Sequence, residues 1–89
     1  MIKISFNDSF KRAFKKRIQY DREMTDKFRL KLERFRDNPF DPSLKTHKLS
    51  GKLKDLWIFS VDRDCRIIFY FTDDQKVVFV DIGSHDQVY

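Results

Sequence analysis

The sequence predicts an α+β domain: one strand, a pair of helices, then a three-stranded antiparallel meander, with the helices packed on one face of a four-stranded sheet. Three observations carry that class. The hydrophobic period is 2 in "IKISF", changes to about 3.6 between Asn7 and Asn38, and gives way to strand-like runs after Asp55. Those last runs are separated only by "DRD" and "TDDQ", turns too short to join anything but antiparallel neighbours. A length of 89 residues with ten phenylalanines gives room for one domain, residues 1–89, and aromatic volume for one core.

Taken in order, "IKISF" sets Ile2, Ile4 and Phe6 on one face of a first strand. Asn7 or Asp8 then caps a helix whose Phe10, Phe14 and Ile18 recur every fourth residue. Lys11, Arg12, Lys15, Lys16 and Arg17 cover its outer surface, a strongly basic one. In "TDKFRLKLERFRDNP", Thr25 is the expected N-cap of a second helix with Phe28, Leu32 and Phe35 on its inner stripe, and Asn38–Pro39 ends it. Pro39 to Asp55 shows no clean period. A segment of that length is uncommon inside a small domain unless it is functional, and this one holds His47 and four lysines, Lys45, Lys48, Lys52 and Lys54. "LWIFSV" alternates around Trp57, Phe59 and Val61, "CRIIFYF" is apolar enough for a central strand, and "KVVFVDIG" closes the sheet. The sheet face away from the helices is expected to curve around the long segment and the tail "SHDQVY".

Composition narrows the function. Nineteen Lys and Arg against 14 Asp and Glu leave a net charge of +5, which suits a polyanionic partner, nucleic acid or an acidic protein. The longest apolar runs are far shorter than a membrane span, and "MIKISFNDSFKR" lacks the apolar block of a signal peptide, so a cytoplasmic protein is expected, with no membrane partner. The single Cys65 makes no internal disulfide and carries no metal-ligand spacing. No HxxxH or CxxC appears, and one glycine, Gly83, is no phosphate loop, so neither metal nor cofactor is expected.

A few residues point to chemistry. His47 and His85 are the natural general acid and base of the chain. Arg66 opens an otherwise apolar strand, where its guanidinium either holds a phosphate by paired hydrogen bonds or pairs with Asp62, Asp64 or Asp81. Tyr89 has less reason than Trp57 to be buried and could stack on a base. Ser60 and Cys65 lack the neighbours that would activate a nucleophile.

The stretch "HKLSGKLKDLWIFSVDRDCRIIFYF" followed by "VVFVDIGSHDQVY" resembles the RelE/ParE superfamily of bacterial type II toxins, most closely its YafQ-like branch. The resemblance follows the element order of the whole chain and is most specific from Leu44 to Tyr89. It implies a RelE-like fold and a ribosome-dependent endoribonuclease, an mRNA interferase, that cleaves mRNA in the A site without a metal. It also implies a cognate antitoxin that holds the toxin inactive. His47 occupies the place of the histidine ahead of "LxG", Asp64 that of the aspartate in the turn before the central strand, His85 that of the histidine in "GTH", and Tyr89 that of the terminal aromatic residue. Arg66 matches the arginine that opens the central strand in RelE. The YafQ pattern has a further histidine where Ser60 stands here, and RelE has lysines where Ile58 and Ser60 stand.

The expected catalytic set is thus His47, Asp64, Arg66, His85 and Tyr89. Lys45, Lys48, Lys52, Lys54 and Ser60 are expected to contact the RNA, and the basic first helix to dock on ribosomal RNA. Two alternatives use the same scaffold: a ParE-like inhibitor of DNA gyrase, which needs no proton transfer, and a catalytically inactive antitoxin-binding partner.

Overall fold

The computed structural model of the chain describes residues 1–49 and 55–84. Strand β1 (Lys3–Phe6) leads into helix α1 (Asp8–Arg17) and helix α2 (Arg22–Asp37). A 3-10 turn at Pro42–Leu44 and a two-residue strand β2 (His47–Lys48) follow. β3 (Trp57–Asp62), β4 (Cys65–Asp73) and β5 (Lys76–Gly83) complete the described elements. The α+β class and the helix pair on the sheet match the sequence expectation.

Three details differ from it. Among the described residues the sheet has five strands rather than four, in the order β1-β5-β4-β3-β2, because His47 and Lys48 pair antiparallel with Ile58 and Trp57. The segment expected to lack structure therefore supplies the sheet edge. β1 runs parallel to β5, from Lys3↔Lys76 to Phe6↔Phe79, which makes the sheet mixed. Finally, α2 begins a turn earlier than Thr25: Asp21 is the N-cap, its carboxylate accepting from the Met24 N–H. Thr25 lies inside the helix and donates to the carbonyls of Asp21 and Ile18, tying the second helix to the end of the first.

α1 is capped as expected by Asn7, whose side chain accepts from the Phe10 N–H at 2.9 Å. The last turn carries Lys15, Lys16 and Arg17, favourable against the negative end of the helix dipole. Phe10 and Ile18 are buried under α1, and Phe28 and Phe35 under α2. Phe35 occupies the centre of the core, its ring centroid 4.8 Å from Phe59, 5.0 Å from Phe69 and 5.4 Å from Phe79, so that one helix residue touches three adjacent strands.

A bulge on β5 sets which side chains reach that core. Phe69 pairs with Phe79 but Ile68 with Asp81, leaving Val80 as the extra residue. Without it, strict alternation from Val77 and Phe79 would turn Asp81 inward. The bulge moves the phase by one, so Ile82 is buried and Asp81 is exposed. The Val80 carbonyl accepts a hydrogen bond from the Ser9 hydroxyl in the first turn of α1. A second bulge, between Ser60 and Asp62 on β3, sits at the end of the sheet where the candidate residues gather.

Candidate active site

Arg66 and Ser60 are register partners across β4 and β3, beside the β3 bulge. Both line a pocket of about 290 Å³ whose wall also includes Lys31 of α2, Lys45 after the 3-10 turn, and Asp62 and Arg63 at the hairpin end. Four of these side chains are cationic and one is anionic, an electropositive balance suited to a phosphate group.

The Arg66 guanidinium is braced by the turn: Nη1 donates to the carbonyls of Asp62, at 3.2 Å, and Arg63, at 3.1 Å. These bonds hold the planar fork at the mouth of the hairpin, a geometry that lysine's single ammonium does not reproduce. The Asp62 carboxylate is engaged elsewhere, 3.4 Å from Lys27 and accepting at 2.9 Å from the Asp64 N–H.

Lys45, also on the pocket wall, sits at an unusual point of the backbone. It caps the 3-10 turn at φ 54°, ψ 38°, the only non-glycine residue with positive φ among those described. A left-handed lysine costs on the order of 1–2 kcal/mol. The turn before it is held by Asp41, which accepts from both the N–H and the hydroxyl of Ser43. Those two bonds keep the Asp41 carboxyl below its usual range. Lys31 closes the wall, its ammonium donating to the Ser43 carbonyl at 3.1 Å.

His47 stands two residues farther on, at the start of β2. Its Nδ1 lies 2.8 Å from the Lys45 carbonyl, which orients the ring, and its backbone pairs with Ile58. It flanks the Arg66 pocket without lining it. Asp64 is exposed at the tip of the β3–β4 turn and does not line the pocket either. Lys48 points to a different place: its ammonium lies 5.4 Å from the Trp57 ring, among residues that include Tyr70 and Phe71. His85, Tyr89, Lys52 and Lys54 lie outside the described residues. The structure thus brings Lys45, Ser60 and Arg66 into one pocket, with His47 beside it.

Lys31, Asp62 and Arg63 were not among the candidates from sequence. Lys31 follows Phe28 and precedes Phe35 on an ordinary amphipathic helix, and nothing in that pattern shows which strand end it meets. Arg63 was legible only as part of a turn. Cys65, buried beneath the hairpin, has its thiol pushed up to about 11 by burial and by the nearby Asp62 carboxylate, so it is a core side chain and not a nucleophile. No three His, Cys, Asp or Glu side chains gather into a possible metal site among the described residues. No helix among them is long and apolar enough to cross a membrane.

Residues 2–89 match the family model described as the bacterial toxin of a type II toxin-antitoxin system, YafQ. None of the curated proteins matches the chain. Among solved structures, YafQ from E. coli superimposes with a TM-score of 0.72 at 19% identity, over 100% of this chain and 99% of the other. A YoeB/ParE toxin from Agrobacterium tumefaciens gives 0.76 at 16% identity, over 94% and 99%. A chain of the heterotetrameric YoeB-YefM toxin-antitoxin complex from Staphylococcus aureus gives 0.74 at 20% identity, over 96% and 98%. At these identities the structural matches speak for the fold, and the match along residues 2–89 speaks for the family.

Proposed function

Because the chain belongs to the YafQ family of bacterial type II toxins, we propose that it is a ribosome-dependent endoribonuclease that cleaves mRNA in the A site by acid–base chemistry without a metal. Endoribonuclease activity is typical of this family. The observation that carries the reading to this chain is the Arg66 pocket. It joins a braced guanidinium, Ser60 and Lys45 at the end of the sheet, and His47 is oriented at its edge.

The reaction divides into three tasks. A base removes the proton of a ribose 2′-OH, and the freed oxygen attacks the adjacent phosphorus. The bond from phosphorus to the 5′-oxygen then breaks, leaving a 2′,3′-cyclic phosphate, while an acid protonates the departing 5′-oxygen. Charge gathers on the phosphorane between these events, and fixed donors aimed at it lower the barrier. In this chain Arg66 holds the scissile phosphate, with Lys45 and Ser60 beside it. His47 and His85 share the acid and base roles. Asp64, on the exposed turn, orients a histidine or contacts the RNA, Tyr89 stacks on a base, and Lys48, Lys52 and Lys54 contact the RNA. The remaining partners are the ribosome and a cognate antitoxin. The fold shared with the YoeB chain of a toxin-antitoxin complex supports an antitoxin partner.

Primer extension on mRNA translated in a purified bacterial system, with EDTA-treated protein, tests the proposal. Cuts within codons that end in 2′,3′-cyclic phosphate and disappear with Arg66→Gln are expected. Intact mRNA under continuing translation would overturn it.

A further inference from the structure

A second cavity, of about 450 Å³, opens between the C-terminal half of α1 and strands β4 and β5. Arg12, Lys16 and Arg17 line one side of it, and Ile68, Asp81 and Gly83 line the other. Among the described residues none of the three cations makes an ion pair or a side-chain hydrogen bond. Asp81 is the single acid in the groove; its Oδ1 accepts only from the next backbone N–H, that of Ile82.

Two strand pairings connect this groove to the pocket already described. Arg66 pairs with Gly83, and Ile68 pairs with Asp81. Arg66 lines the catalytic pocket while its partner Gly83 lines the groove, so the two cavities meet across one register pair. Along β4, Arg66 and Ile68 are two residues apart, about 7 Å. Along α1, Arg12 and Lys16 are one turn apart, about 6 Å. Cations repeated at that interval beside an open groove suit a ligand with regularly repeated charges. The apolar part of the lining, Ala13, Ile68 and Ile82, has no aromatic anchor of the kind a bound peptide uses.

We propose that this groove is a subsite for the sugar-phosphate backbone of single-stranded RNA, holding the segment that continues from the nucleotide at Arg66. The inference rests on RNA being the substrate and names the path the strand takes. Arg12, Lys16 and Arg17 neutralise successive phosphates, and Asp81 limits the attraction. Displaced counterions make such binding fall with salt, with a slope of about 0.7 per neutralised phosphate on a single strand.

The test is fluorescence anisotropy of the full-length chain with a labelled single-stranded RNA dodecamer across a salt series. Far-UV circular dichroism checks the fold of each variant; all three cations are exposed. The triple variant Arg12→Gln, Lys16→Gln, Arg17→Gln is expected to bind at least tenfold more weakly, with the log–log salt slope reduced by about 2. Asp81→Asn is expected to bind more tightly. Unchanged affinity and slope in the triple variant would overturn the proposal. Tighter binding of a glutamate-rich peptide, lost in the same variant, would overturn it in favour of an acidic protein partner. The readout is binding alone, so the two failures are distinguishable: a chain that binds RNA through the groove yet fails to cleave translated mRNA refutes the nuclease reading and leaves the groove only as an RNA-binding surface.

Discussion

Ser60 and Arg66 face one another as register partners across β3 and β4, and both line the same cationic pocket. The pairing follows from a hairpin whose bulge lies next to Ser60, and from the carbonyls of Asp62 and Arg63 that hold the arginine's Nη1. A phosphate bound here meets a guanidinium whose orientation is already fixed, which lowers the cost of ordering it during reaction.

Removing that fork is expected to cost cleavage about 10²–10³-fold, the range for loss of one preorganised donor to a developing anion. Arg66→Lys keeps the charge and loses the planar donor set, so it should fall at least tenfold below wild type, with Arg66→Gln lower still. The complementary change is Ser60→His, which restores the histidine of the YafQ pattern directly across from Arg66 and should raise the rate. Single-turnover cleavage on programmed ribosomes measures all three. An Arg66→Lys rate equal to wild type would show that only charge matters at this position.

Lys45 separates stability from activity. Its left-handed backbone costs a lysine on the order of 1–2 kcal/mol, and glycine adopts the same angles without that penalty but loses more entropy on folding. Lys45→Gly should therefore leave the urea midpoint close to wild type while lowering RNA affinity and cleavage. A large loss of stability would mean that the lysine side chain holds the turn; equal activity would remove Lys45 from the site.

The Lys27–Asp62 pair ties α2 to the end of β3 at 3.4 Å, and Lys27 also lies 3.4 Å from Glu23. Hydrogen bonds to Asp62 and then to Glu23 raise the Lys27 pKa above 10.5. A folded pKa above the unfolded one gives stability that is complete below the unfolded value and is lost as pH rises through the folded value. Wild type should thus lose more of its thermal stability between pH 9 and pH 12 than Asp62→Asn does. Parallel melting curves for the two over that range would show that the pair contributes nothing, as many exposed pairs do.

Periodicity made the helix pair and the meander legible because Phe10, Phe28, Phe35, Phe59 and Phe69 all repeat with the period of the element that carries them. It did not reveal β2, since two residues, His47 and Lys48, are too few for alternation to register. Nor did it reveal the parallel pairing of β1 with β5, which joins strands some 70 residues apart and leaves no local mark. Asp21 was missed as a cap because Thr25 also heads an apolar stripe; the helix gains a turn by starting at the earlier acceptor. At the site, Arg66 stood out as a charge in an apolar run and Lys45 as part of a basic segment. Lys31 came to the same pocket only through tertiary packing. The Val80 bulge was equally hidden, although "VVFVDI" shows its trace: strict alternation there would turn an aspartate into the core.

Phe35 is where the core is most exposed to a single change. Its side chain is fully buried and stacks on Phe59 while meeting Phe69 and Phe79 edge-on, so it holds α2 against three strands at once. Truncation removes that area and leaves a cavity that rigid neighbouring rings fill poorly, at a cost of about 3–5 kcal/mol for Phe→Ala. A domain of this size has about 5–15 kcal/mol in total. Phe35→Ala should therefore lower the melting temperature by at least about 12 °C, at 4–8 °C per kcal/mol, or leave the chain unfolded at 37 °C. Phe35→Leu, which fills part of the space, should lose less. The pocket at Arg66 depends on α2 for Lys31 and on β3 for Ser60, so Phe35→Ala should also weaken RNA binding at temperatures where circular dichroism still shows a folded protein. A variant that melts within 3 °C of wild type would show that α2 is anchored elsewhere, with Phe28 as the next position to truncate.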